Sequence, residues 1–239
     1  MKKSESLFDN WLWAQPVFDN FMPELSKEKG RSILDLGCGR GRISAFFVSY
    51  GMNVVGLDIN SYEEMRKHES QDLKFVIGSA GEMPFQQHSF DLIFSCSAMQ
   101  YLDHELVFNE LARVIKMGGY VYLHENMPNN PIVLFYRWLR KKKAMFDPST
   151  QKYIDTIKQY ISPAFPFDRY GFKILSIKNY YLFSPLLLFF HREKLRSALI
   201  GRIFQKLLMG LDNLLLKRLC FLRKFCWFTS YCLKKEDPR

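Results

Sequence analysis

Cysteine is sparse and unpatterned in this chain. The five present, Cys38, Cys96, Cys220, Cys226 and Cys232, form no C-x-x-C pair and have no histidine cluster beside them. Neither a zinc site nor a disulfide framework is supported, and no bound metal is expected. Reduced thiols in a cytoplasm are the reading this leaves. Long apolar runs are lacking too. The longest charge-free apolar stretch, about Asn179 to His191, is interrupted by Pro185 and falls short of the ~20 residues a helix needs to cross a bilayer. No transmembrane span is therefore expected. Lys2 and Lys3 are not followed by an apolar core, because acids, Asn and Gln interrupt the first stretch of chain, so no secretory signal is expected either.

What is present can bury a core. The 239 residues are 48% apolar and 16% aromatic, which excludes a disordered chain. Short apolar runs bounded by turn residues alternate with amphipathic stretches, the rhythm of a mostly parallel α/β sheet. Strands are expected at 32–36, 53–58, 74–78, 90–95 and 119–124, with a sixth at 172–180 and a seventh at 225–234. Helices are expected at 41–50, 61–68 and 103–115, after a helical segment near 8–25 that carries Trp11, Trp13 and Phe18. Gly51 stands where a helix C-cap belongs. The organisation expected is one domain: an N-terminal cap (1–30), a nucleotide-binding core (31–126), and a C-terminal part (127–239) of the same domain with a basic amphipathic helical insertion at about 185–222.

The most informative segment is Ile33-Leu34-Asp35-Leu36-Gly37-Cys38-Gly39-Arg40-Gly41, an apolar strand running into a loop with glycine at every second position. Such a loop lets a ligand approach main-chain N–H groups that a Cβ would fend off. A dinucleotide fold wants G-x-G-x-x-G/A, and Arg42 occupies its third glycine position, which argues against that class. The observed D-x-G-x-G-x-G resembles the first signature of class I S-adenosylmethionine (SAM)-dependent methyltransferases. Val54 to Asp58 is similar to their second strand with its terminal acid, Gly78 to Leu92 (GSAGEMPFQQHSFDL) to the G-D-A-E-x-L-P-F segment of the small-molecule and lipid-type branch, and Arg113 to Gly119 to their R-V-L-K-P-G-G turn. The resemblance spans about Ser32 to Glu125. It implies a Rossmann-like, seven-stranded, mostly parallel sheet flanked by helices on both faces and closed by an antiparallel hairpin.

The resemblance also implies a SAM site. Gly37, Cys38, Gly39 and Gly41 would face the methionine part, and the following helix N-terminus would favour its carboxylate. Asp58 at its strand end would accept from both ribose hydroxyls, with Ile59 beside it. Asp35 would hold the loop or the ligand's amino group. Ser79 stands where the family usually has an adenine-binding Asp, a neutral acceptor in place of a charged one, and Ala80 would contribute its N–H. Ligands of open α/β sheets bind outside the carboxyl ends of the strands. That places Ser95 and the acceptor-side residues Gln100 and Tyr101 after strand four, His124 and Glu125 after strand five, and Trp11 from the cap. His124 or Glu125 would serve as base where the acceptor is a hydroxyl or phenol. His68, His88, His104 and His191 are expected to be solvated.

The net charge of +10 invites an acidic partner. Methylation of nucleic acid is disfavoured, because the segment after strand four, Phe94-Ser95-Cys96-Ser97-Ala98-Met99, carries neither an N/D-P-P-Y/F stretch nor a Pro-Cys pair. Cations collect at Arg137, Arg140, Lys141, Lys142 and Lys143, beside Phe135, Tyr136 and Trp138. They collect again from 186 to 235, where Leu195, Leu199, Ile203, Leu207, Leu211, Leu214 and Leu215 recur at helical spacing. The pattern fits a helix on an anionic membrane surface and equally one packed on its own sheet with a solvated basic face. The reading is thus a methyltransferase for a small-molecule or lipid-type acceptor, cytoplasmic or peripheral on the membrane. A SAM-binding protein without transferase activity and a nucleic-acid methyltransferase are the alternatives.

Overall fold

A computed structural model describes residues 30–142, 157–189 and 199–236. The expected helix near 8–25, with Trp11, Trp13 and Phe18, lies outside the described residues, as do Lys143, His191 and Leu195. Seven strands form one sheet in the order β3-β2-β1-β4-β5-β7-β6. They are β1 (Ser32–Leu36), β2 (Asn53–Asp58), β3 (Leu73–Ile77), β4 (Phe90–Cys96), β5 (Ile115–Asn126), β6 (Phe172–Tyr180) and β7 (Phe228–Lys235). The first five pair in parallel. Against β6, the bonds Trp227 N–H to Tyr181 O and Glu236 N–H to Gly171 O lie at opposite ends of β7, so these two strands run antiparallel, as expected for a closing hairpin. The helices are α1 (Arg42–Ser49), α2 (Glu63–His68), α3 (His104–Val114), α4 (Pro131–Lys142) and α5 (Leu199–Arg218).

The central strands are apolar throughout because both their faces are covered, as a parallel sheet requires. Side chains alternate between two layers with a period of two. Leu34, Leu36, Ile93, Val121 and Leu123 join the layer under α3, while Ile33, Leu92, Phe94 and Tyr122 join the layer under α1. In the first layer, Phe108 of α3 meets Phe165, Phe167, Tyr170 and Phe172 with ring centroids 4.7–6.0 Å apart. In the second, Phe47 of α1 meets Phe94 edge-on at 5.2 Å. Asp103 caps α3 by accepting from the Leu106 N–H, and Gly51 adopts φ +80° after α1, the C-cap role its position suggested.

Two strand starts differ from expectation by three or four residues for local reasons, and other boundaries shift by one or two. β5 begins four residues before the expected 119, since Ile115 already pairs with Phe90. The register then shifts before Leu92 meets Tyr120, and Gly118 at φ +74° absorbs the irregularity. β7 begins at Phe228 because Cys220–Phe225 forms a 3-10 turn.

The chain divides into two compact units, one comprising Met1–Glu125, Ile161–Ile177 and Ser230–Arg239, the other Asn126–Tyr160 and Lys178–Thr229. In the second, Asn130 caps α4 by accepting from the Val133 N–H while its amide donates to the carbonyls of Tyr181, Leu182 and Phe225. Pro131 fits the first helical position because it lacks the N–H that would go unused there. α5 buries Leu208, Asp212 and Leu216, one residue per turn. Asp212 accepts from the backbone of Leu182, Phe183 and Ser184 and from the Ser184 hydroxyl. The leucines that repeat at helical spacing in the sequence point the other way, with Ile203, Leu207, Leu211 and Leu214 exposed. The basic stretch thus forms a helix whose packed side is a different set of residues.

Because Phe108 is fully buried among four aromatic rings, Phe108→Ala is expected to destabilise the protein by about 3–5 kcal/mol, measured by urea denaturation.

Candidate active site

Register decides where the site is. Leu36 pairs with Leu57 and with Ser95, Asp58 with Ile77, and Cys96 with His124. The carboxyl ends of the five parallel strands therefore finish along one edge, and each is followed by a segment singled out from the sequence.

The glycine loop after β1 turns through positive φ at Gly37, Gly39 and Gly41. Its amides are engaged within the protein. Gly37 and Cys38 donate to Leu57 O at 2.8 and 3.1 Å, Gly41 donates to Cys38 O, and Gly39 donates to Asp58 Oδ2 at 2.9 Å. The β2 end thus accepts from the Gly37, Cys38 and Gly39 amides, while the Gly41 amide closes the loop on Cys38. Gly37 is required by the close passage of Ala98, whose Cβ would stand 2.4 Å from any Cβ there. At Gly39 a Cβ would meet nothing within 4 Å, so this is the glycine that opens onto free space. Asp58 uses one oxygen on Gly39 and the other on the Asn60 N–H, which leaves lone pairs for further donors. Ile59 beside it is 71% exposed. Cys38 turns its side chain inward, and burial pushes its thiol up out of reach of ionisation.

Asp35 is buried under the loop and accepts from the Ser44 hydroxyl of α1 at 2.6 Å. Burial raises its carboxyl to about 7, opposed by that bond. It ties β1 to α1, the loop-holding half of its expected role.

On the β3 side, Ser79 is exposed and its hydroxyl accepts from the Gly81 N–H at 3.2 Å. Ala80 is half-buried against the core. This segment is held from below by Glu110 and Arg113 of α3: Glu110 accepts from the Met83 N–H, and Arg113 donates to the carbonyls of Met83 and Phe85 and pairs with Glu110. The Glu110 clamp was not anticipated, although it lies one helical turn before the Arg113 of the recognised turn motif. Leu106, also unanticipated, is exposed and lies against Gly81.

After β4 the chain turns at Ser97 with φ +59°, an uncommon conformation for a side-chain-bearing residue that calls for an explanation. Neighbouring bonds over-determine it. Ser97 N–H donates to His124 O, the Ser95 hydroxyl donates to Glu125 Oε1 at 3.0 Å, and Met99 N–H donates to Glu125 Oε2 at 3.2 Å. Gln100 is 5% exposed, donates to Ser97 O, and has no hydrogen-bond partner on its Oε1. Tyr101 is half-buried at the end of the same turn. Trp11 lies outside the described residues.

The two expected bases are both inside the sheet end. His124 Nδ1 lies 2.7 Å from the Ser230 hydroxyl, and burial pulls the imidazole down to about 3, so it is neutral at any working pH. Burial raises Glu125 to about 8 against the bonds from Ser95, Met99 and Ala98, so it is largely protonated at neutrality. The neutral imidazole is the proton-accepting form, but at about 3 it is a weak base, and Glu125 already holds its proton for the most part at pH 7. His104, expected to be solvated, is buried instead; its Nε2 lies 3.0 Å from Met99 O and its ring packs edge-on to Phe165, and burial lowers its pKa against the opposing pull of the Met99 bond and Asp103.

Residues 34–123 match the family described as a methyltransferase domain. Over 121 residues the chain is 37% identical to a sterol 24-C-methyltransferase of Pneumocystis carinii, covering 43% of this chain and 31% of that protein. Over 96 residues it is 35% identical to the 2-methyl-6-phytyl-1,4-hydroquinone methyltransferase of a Synechocystis strain, covering 38% and 30%. The matched segment spans about three tenths of the length of these relatives. Among solved structures, the phosphoethanolamine N-methyltransferase 2 of Haemonchus contortus, in complex with S-adenosyl-L-methionine, superposes with a TM-score of 0.59 at 18% identity, covering 98% of this chain and 57% of that one. The sheet order and the structural likeness give the chain the class I methyltransferase fold, and residues 34–123 are similar to a methyltransferase domain.

Glu125 gives the site a pH signature. Its native carboxyl holds a proton up to about 8, whereas an unfolded chain loses it near 4.5. The stability this contributes is fully present below pH 4.5 and is lost as pH rises through 8. Glu125→Gln, which has no proton to lose, is expected to gain stability relative to wild type between pH 5 and pH 8, read from urea midpoints at the two pH values.

Proposed function

We propose that this chain is a SAM-dependent methyltransferase acting on a small-molecule or lipid-type acceptor. The observation that carries the reading is the pairing of Gly39, the loop glycine facing open space, with Asp58 at 2.9 Å, next in sequence to the exposed Ile59, while Leu106 is exposed against Gly81 after β3. That set fits the cofactor: Asp58 would accept from the two ribose hydroxyls, Ile59 and Leu106 would border the adenine, and Ser79 or the Ala80 N–H would meet its polar edge. When bound, SAM supplies a methyl group already activated by its sulfonium.

The protein's contribution to catalysis is then alignment and exclusion of water. With His124 too weakly basic at about 3 and Glu125 mostly protonated at neutrality, we assign neither as a base. Glu125 positions the 97–99 turn through Ser95 and Met99, and the acceptor's nucleophile is one that reacts without a protein base or loses its proton to water. The unpartnered Gln100 Oε1, buried at this turn, is suited to accept a hydrogen bond from the acceptor, since a buried acceptor left without a donor is costly. The sterol and prenylated hydroquinone acted on by the relatives named above are apolar molecules, and an acceptor of that class would place the enzyme in the cytoplasm or, as a peripheral protein, on the membrane face that stores it.

Calorimetric titration with SAM is expected to show binding in the wild type. Asp58→Ala is expected to weaken it by about tenfold to a hundredfold, the worth of a hydrogen bond to a charged group at 1.5–3 kcal/mol, and Gly39→Val to abolish it by filling the open face. A folded wild type that binds neither SAM nor its demethylated product would refute the reading. Binding without label transfer from SAM to any lipid extract or phenol would leave a SAM-binding protein in its place.

A further inference from the structure

The net positive charge of this protein resides in one of its two units. Residues 126–160 and 178–229 hold 17 Lys and Arg against 4 Asp and Glu, a net of +13, while the rest of the chain holds 17 against 20, a net of −3. Among the described residues of the basic unit the single acid is Asp212, and it is buried with both oxygens accepting hydrogen bonds. Nothing on the described surface of this unit offsets its cations.

The same unit exposes apolar side chains in an ordered way. On α5, at 3.6 residues per turn, Ile203, Leu207, Leu211 and Leu214 fall within about 80° of arc, and all four are exposed, Leu207 by 64%. Phe204 borders this crest and Phe221, 63% exposed, follows the helix. Lys206 and Lys217 are exposed along one margin, and Arg218, Arg223 and Lys224 surround its C-terminal end. On α4 a second patch is formed by Leu134, Phe135 and Trp138, the last two stacked at 5.7 Å, with Arg137 between them in sequence. Patches of this kind mark interaction sites.

We infer that this helical unit is a docking surface for an anionic lipid bilayer, with the α5 crest entering the headgroup–acyl boundary and the flanking cations lying among the phosphates. Charge complementarity selects the occupant. A second copy would bring +13 against +13, and a nucleic acid would use the cations while leaving an apolar crest in water. A bilayer satisfies both at once, which is the physical definition of an interfacial amphipathic helix. The inference adds a partner to the proposed activity and stands whether or not the acceptor is itself a lipid.

The test is co-sedimentation of the full chain with vesicles of phosphatidylcholine alone and of phosphatidylcholine mixed with phosphatidylglycerol, at low and high salt. Sedimentation is expected with the mixed vesicles and at least tenfold less with the neutral ones or at high salt. Leu207→Glu/Leu211→Glu, both at exposed positions, is expected to lower vesicle partition by about tenfold or more, and Lys206→Gln by about fivefold, with thermal melting and SAM titration unchanged in each. Failure to sediment with anionic vesicles, or sedimentation of the double variant at wild-type level, would overturn the inference. So would a salt-dependent gel shift with single-stranded RNA that the double variant retains while vesicle binding is absent. SAM titration on the same samples separates loss of docking from failure of the cofactor reading.

Discussion

The parallel pairing of β1 between β2 and β4 is the constraint from which the rest of the site follows. Parallel strands must all finish at the same edge, so the loops after Leu36, Asp58, Ile77 and Cys96 are brought together, with the end of β5 beside them, whatever their own sequences. Burial on both faces fixes the register, because a slip by one residue would exchange the layer under α1 with the layer under α3. The hydrogen bond from Gly39 to Asp58 exists because Leu36 and Leu57 are partners across this pair.

Holding that edge rigid has required burying ionisable groups. Asp35, His124 and Glu125 are all about 1% exposed, and in each the dominant influence is desolvation, toward the neutral form. Each also carries a specific structural bond: Asp35 to Ser44, His124 to Ser230, Glu125 to Ser95 and Met99. They are polar fasteners that keep the glycine loop and the post-β4 turn in place, including Ser97 in its left-handed conformation. An enzyme moving a methyl group from an already activated carbon can use its buried polar groups this way, since accurate placement is the larger part of its task.

The chain also separates its tasks by charge. The unit carrying the glycine loop and Asp58 is mildly acidic, and the helical unit is strongly basic. Such segregation creates a local field where a uniform surface would average it away. Asp212 shows how the helical unit is built: an acid in the middle of a basic helix is spent on the backbone of the 182–184 turn, leaving the outer face to cations and leucines.

By itself the sequence determined the parts that depend on local pattern. Strand limits for β1, β2 and β6 were legible to the residue, because apolar runs are bounded by turn residues there. The glycine loop and the strand-end Asp58 were legible because their spacing argues against a dinucleotide loop, and the cofactor class was legible only as what the resemblance of D-x-G-x-G-x-G to a known family implies. Tertiary structure decided what depends on surroundings. A His and a Glu at a strand end look like bases until the sheet closes over them and desolvation favours their neutral forms, weakening the imidazole as a base and leaving the carboxyl mostly protonated at neutrality. The clamp of Glu110 and Arg113 on Met83 joins residues 27 to 30 positions apart, a distance no local pattern reports. The outward face of α5 was undecidable from periodicity, since Leu208 and Leu216 repeat as regularly as Leu207, Leu211 and Leu214. Only the position of Asp212 against the 182–184 turn settles which side is packed.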